Sequence, residues 1–151
     1  MIGIRKLREN KGGAAVEFAV VLPLLLLLVF GIIEFGLLLY NKAMITNASR
    51  EAARAGVVYA SDPATGNIDR LSKEQMAAIV DAYCKNYLVT FSSAPQPLET
   101  NTDPQNPETL ASGQMLRVTV SYHYDYLLMP AFLSNLVGGI DLVANTTMRA
   151  E

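Results

Sequence analysis

The 151-residue chain has one cysteine, one histidine and no tryptophan. A lone Cys84 excludes an intramolecular disulfide, so the fold must hold without a covalent staple. The default place for Cys84 is as a small buried apolar residue, an intermolecular bridge being the other option. With a single His (His123) and a single Cys, no metal-ligand spacing stands out, and neither does a phosphate-cradling loop or a paired-acid arrangement. Nothing therefore points to a cofactor or a small-molecule substrate. Charge is scarce, at 17% of residues, and split by position. Residues 1–60 carry seven Lys/Arg against four Asp/Glu, and residues 61–151 carry five against ten. The second half lacks the basic face that a nucleic-acid partner requires.

What the chain has in excess is apolar residues, and most of that excess lies before Tyr40. From Phe18 to Tyr40 every residue is apolar, Gly, Pro or Tyr, except Glu34. At about 1.5 Å per residue these positions reach roughly 35 Å, enough to cross a hydrocarbon core of about 30 Å. Arg5, Lys6, Arg8 and Lys11 precede the run, diluted by Glu9. Only Lys42 and Arg50 supply positive charge soon after it. That asymmetry puts the N-terminus in the cytoplasm of a single-pass membrane protein, with its C-terminal part on the other side of the bilayer. A secretory signal peptide fits poorly, because its apolar core is about 7–15 residues and ends at a small-x-small cut. A plain uncleaved anchor stays open.

Three residues in the run need comment. Glu17 stands at its start, and a carboxylate there costs on the order of 2–3 kcal/mol unless it is interfacial or finds a partner. Pro23 removes one helical hydrogen bond and clashes with the carbonyl of Ala19, so a kink or local loosening is expected. Glu34 has no cation three or four residues away, leaving the far interface or a contact to a neighbouring subunit as its place. On a helix it lies about 100° around from Glu17, so the two acids do not share a face.

Gly12-Gly13-Ala14-Ala15-Val16-Glu17-Phe18 resembles the processing site of type IV pilin precursors. There a prepilin peptidase cuts after the Gly of a short basic leader. The resemblance implies a cut between Gly12 and Gly13, with Glu17 as the fifth residue of the product. Gly13 to Pro23, then Phe30-Gly31-Ile32-Ile33-Glu34-Phe35-Gly36, then Asn47-Ala48-Ser49-Arg50-Glu51-Ala52-Ala53-Arg54, resemble the TadE-like family. Its members are pseudopilins or minor pilins of the tight-adherence (Flp-type) pilus. The likeness is specific over residues 12–54. It implies the bilayer, a prepilin peptidase, other pilins and the assembly machinery as partners, and a helix whose Glu17, Pro23 and Glu34 serve assembly. A membrane-tethered binding module that is never cleaved is the alternative.

The remaining chain reads as α+β. The first helix is expected to run from about Ala14 to Ala60. Past Tyr40 its apolar stripe is Met44, Ile45, Ala48, Ala52, Ala55 and Tyr59. Turn formers from Ser61 to Asn67 end it. Ser72-Lys73-Glu74-Gln75 has the form of a capping box, flanked by a Leu71–Met76 staple. It opens a second amphipathic helix that runs to about Leu88. Residues 92–113 hold four prolines among polar residues and read as an exposed loop. Leu116 to Tyr126 alternates apolar with polar, as does Ile140 to Met148, predicting two antiparallel strands with a short helix at Ala131–Val137 between them. Ser121, His123 and Asp125 share a strand face, but same-face neighbours do not converge as a catalytic triad must. The expected layout is a basic leader over 1–12, a transmembrane and extended helix over 13–60, and a small exported domain over 61–151.

Overall fold

The protein is described by a computed structural model covering residues 10–61, 68–90, 97–128 and 138–151. The expected helix at Ala131–Val137, the turn over 62–67, most of the leader and the start of the Pro-rich loop lie outside the described residues.

Helix α1 spans Asn10–Val57, 48 residues, or about 72 Å at 1.5 Å per residue. It remains helical through Pro23. Every residue from Gly12 to Ile33 is exposed except the partly covered Leu22. The first buried residue is Glu34, and from there one face of α1 enters a core. That face carries Ile45, Ala48, Ala52, Ala53 and Val57. It departs from the expected stripe at its end, where Ala53 and Val57 are buried while Tyr59, beyond the last helical turn, is 54% exposed. Small residues suit this face because they let the rest of the fold approach the helix axis closely.

Two-residue strands β1 (Ala60–Ser61) and β2 (Ile68–Asp69) pair antiparallel just beyond α1. Helix α2 spans Lys73–Tyr87. Its capping box is present: Ser72 Oγ accepts from the Gln75 amide at 3.3 Å, and Gln75 Oε1 accepts from the Ser72 amide at 2.9 Å. Met76, Val80 and Cys84 form the buried stripe of α2. Burial pushes the Cys84 thiol up to about 11, with Asp81 adding to it, so the thiol stays protonated and packs as an apolar group.

Strands β3 (Leu98–Asp103), β4 (Met115–Tyr124) and β5 (Ile140–Arg149) form one antiparallel sheet with β4 central. The alternation expected in β4 is realised: Leu116, Val118, Val120, Tyr122 and Tyr124 are buried. On β5 the inward residues are Leu142 and Ala144, with Thr146 and Met148 partly covered. Strand β3 corrects the expectation of loop over 92–113. Its sequence, Leu-Glu-Thr-Asn-Thr-Asp, has one apolar residue, yet it pairs over six residues with β4. An edge strand needs only one packed face, and here Thr100 and Thr102 turn inward where a hydrophobic pattern would have been legible. A 3-10 turn at Pro107–Thr109 and a left-handed Gly113 (φ 88°) then lead into β4.

Both helices lie on the inner face of the sheet, α1 against β4 and β5, α2 against α1 and β3. The closest approach is at Gly56, where an added Cβ would lie against the Met76 sulfur and 2.8 Å from Leu116 Cδ2. A mid-helix Gly costs about 1 kcal/mol relative to Ala, and the missing side chain offsets that by letting α2 and β4 close on α1. Gly56→Val is expected to lower stability by about 1–3 kcal/mol through overpacking, measured by thermal or urea denaturation in detergent. Wild-type stability in that variant would contradict the packing described.

Candidate functional site

The residues singled out by sequence fall at two levels of α1. Gly12 and Gly13 lie in its first turn, with no atom within 4 Å of a Cβ placed on either. Glu17, Phe18 and Pro23 are exposed farther along. Glu34 lies 17 residues beyond Glu17, about 25 Å along the helix. The structure does not bring the two acids together.

Glu34 is the centre of a built site. It is only 3% exposed, and its carboxylate accepts three hydrogen bonds from the end of β4 and the residues after it. Tyr124 Oη donates to Oε1 at 2.7 Å, the Leu127 amide to Oε1 at 2.9 Å, and the Leu128 amide to Oε2 at 2.7 Å. Burial first, and the bond to Glu34 second, push the Tyr124 phenol above its usual range, so it stays protonated and donates. Two adjacent backbone amides and a hydroxyl replace much of the hydration the carboxylate gives up. Sequence had put Glu34 at an interface or against a neighbouring subunit. Its hydrogen-bond partners come from its own chain, some 90 positions on, a distance at which helical spacing carries no signal.

Three further polar residues of α1 continue the attachment. Asn41, fully buried, pairs with the backbone of Val89 in both directions: Nδ2 donates to the carbonyl at 2.9 Å, and the Val89 amide donates to Oδ1 at 3.0 Å. Lys42 Nζ donates to the Val143 carbonyl on β5. Ser49 Oγ and Thr146 Oγ1 are 2.7 Å apart. Glu34, Asn41 and Ser49 follow one another at seven and eight residues, two turns of helix each, so they line one side of α1. Their spacing was readable in the sequence; their partners were not.

At the far end, buried Arg70 closes the fold. Its guanidinium donates to the carbonyls of Val57 and Leu110, the latter at 3.1 Å, and to the main-chain oxygen of Glu151. The Tyr59 ring stacks on it at 4.2 Å. A cation on the last carbonyls of α1 is also favoured by the helix dipole.

The outer sheet face carries the Ser121, His123, Asp125 set. Glu99, Ser121, His123, Asp141 and Val143 line an open groove of about 340 Å³. His123 Nδ1 lies 2.6 Å from Asp141 and Nε2 lies 3.5 Å from Asp125. Both ring nitrogens thus face carboxylates, which leaves neither free to take a proton from Ser121. Among the described residues no group of three or more His, Cys, Asp or Glu is arranged to hold a metal ion.

The architecture is that of an α+β body built on the distal half of one long helix. The proximal half of that helix has the length and composition of a single-pass membrane anchor. Residues 12–54 match the family described as TadE-like protein. No curated protein and no solved structure matches the chain.

Two outcomes follow from this geometry. Glu34→Ala strands Tyr124 Oη and two backbone amides and is expected to cost roughly 2–5 kcal/mol, with Glu34→Gln costing less. Thermal denaturation together with amide spectra of Leu127 and Leu128 checks this, and unmoved resonances in Glu34→Ala would contradict it. The bond to Asp141 holds His123 above its ordinary value of 6.5. Its stabilising contribution is therefore fully present below about pH 6.5 and lost as pH rises through the raised folded-state value. An NMR titration should give a His123 midpoint above 6.5 that falls in Asp141→Asn; equal midpoints would contradict the assignment.

Proposed function

We propose that the chain is a pseudopilin-like protein in assembly of a tight-adherence (Flp-type) pilus, processed by a prepilin peptidase between Gly12 and Gly13. It would be held in the bacterial inner membrane with its N-terminus cytoplasmic. The observation that carries this is the match over residues 12–54, which begins at Gly12 and takes in Glu17, Phe18, Pro23 and Glu34. Physical features of α1 support it. Two successive glycines in the first helical turn each weaken helix by about 1 kcal/mol, which favours opening of that turn for a peptidase. Glu17, exposed five residues into the product, is available to neutralise a new Gly13 amine on a neighbouring subunit, an ion pair favoured at low dielectric. The uncovered apolar surface from Phe18 onward suits side-by-side packing with other pilin helices. In this reading the role is structural rather than enzymatic, in keeping with the His123 ring nitrogens both facing carboxylates.

The test is the intact mass of protein extracted from membranes of a host with an active prepilin peptidase. Loss of Met1–Gly12 lowers the mass by about 1.4 kDa, much less than removal of a whole signal peptide would. A full-length mass would contradict processing and favour an uncleaved single-span anchor.

A further inference from the structure

We propose that the pole of the folded body next to Glu34 is a lipid-binding surface. Tyr126, Leu127 and Leu128 would sit at the boundary between acyl chains and headgroups of the bilayer that α1 crosses. This rests on α1 being a membrane anchor and adds to it that the body is seated in the bilayer rather than standing clear of it.

Depth follows from counting along α1. With Glu17 at the near interface, Phe18 opens the hydrocarbon layer, and Glu34 comes 16 residues later. That is about 24 Å, short of the roughly 30 Å needed to leave the core. The opposite side of the helix gives the same result independently. Ile32, Phe35, Leu39 and Tyr40 are 66%, 61%, 51% and 41% exposed, so α1 keeps an uncovered apolar side for six residues beyond Glu34. Those six residues add about 9 Å. Water is therefore expected to begin near Asn41, and Glu34 lies below that level.

Glu34 then fixes the level of the body. The Leu127 and Leu128 amides are 2.9 and 2.7 Å from its carboxylate, so both backbones lie at the depth of Glu34. Tyr126 packs edge-on against Tyr124 with ring centroids 6.2 Å apart, and all three side chains from 126 to 128 are only partly covered by the protein. A tyrosine beside two leucines has the amphipathic character that membrane interfaces favour. Ile140, the β5 partner of Tyr124, is 40% exposed at the same end of the sheet. The charged groups near this pole suit the headgroup layer rather than the acyl layer. His123, Asp125 and Asp141 occupy the exposed outer sheet face, and Lys42 lies two turns beyond Glu34. The opposite pole, at Val57, is about 35 Å farther along α1 and out of reach of the lipid.

The absence of native tryptophan makes the test direct. Full-length Leu128→Trp, Tyr126→Trp, Leu26→Trp and Thr109→Trp variants are reconstituted in phosphatidylcholine vesicles. The acyl chains carry bromine either near the headgroup or near the chain end. The proposal predicts that Trp at 126 and 128 loses most of its emission to the shallow bromine and less to the deep one. Trp at 109, near the Leu110 carbonyl held by Arg70, should be quenched by neither. Quenching at 26 without quenching at 126 and 128 overturns the proposal and leaves the anchor standing. Blue-shifted but unquenched emission at 126 and 128 also overturns it, since the pole would then be covered by protein, such as a second copy. No quenching at 26 overturns the anchor reading and this one with it. Using both 126 and 128 guards against one substitution failing to fold.

Discussion

The fold depends on the burial of a single carboxylate. An ionised side chain removed from water without compensation costs several kcal/mol, so Glu34 can be buried only where donors are already arranged around it. Tyr124 Oη and the amides of Leu127 and Leu128 are those donors, all within 2.9 Å. They come from the end of the central strand, so satisfying Glu34 also fixes where β4 ends and how the chain leaves the sheet. A helix that is exposed from Gly12 to Ile33 except at the partly covered Leu22 becomes, one residue later, the core helix of an α+β body.

This division of labour explains the composition of α1. Its proximal half is apolar all round, as a helix must be if its surroundings are lipid or other helices. Its distal half is amphipathic and adds polar anchors at intervals of about two turns: Asn41 to the chain after α2, Lys42 and Ser49 to β5. Lys42 also occupies a carbonyl on an edge strand, which discourages unwanted strand pairing there. At the end of α1, Arg70 collects main-chain oxygens of Val57, Leu110 and Glu151. The body is thus attached to α1 from Glu34 to Val57 by polar bonds at both ends, with small residues and Gly56 allowing close packing between them. Such an attachment transmits any tilt or axial movement of the proximal half of α1 directly to the body.

Much of this was legible in the sequence where the signal is local. Alternation marked β4 and β5, a capping box marked the start of α2, and the apolar run marked the anchor. Strand β3 was hidden because an edge strand packed through Thr100 and Thr102 shows no hydrophobic alternation. The role of Glu34 was hidden for a different reason: its helical neighbours are all apolar, and its donors are a tyrosine and two backbone amides that no side-chain pattern reports. Among the described residues, Arg70 likewise bonds carbonyl oxygens. The Gly12-Gly13 and Glu17 pattern is legible only in the sequence, and the fold around it adds that these residues are exposed on the proximal helix.

The central claim is that anchor and body share one uninterrupted helix locked at Glu34. Amide hydrogen exchange of the full chain in lipid nanodiscs tests it most directly. The account predicts continuous slow exchange from the membrane half of α1 through Glu34 to Val57, with Leu127 and Leu128 protected to a similar degree. Fast exchange confined to residues 34–40, between a protected anchor and a separately protected body, would contradict it.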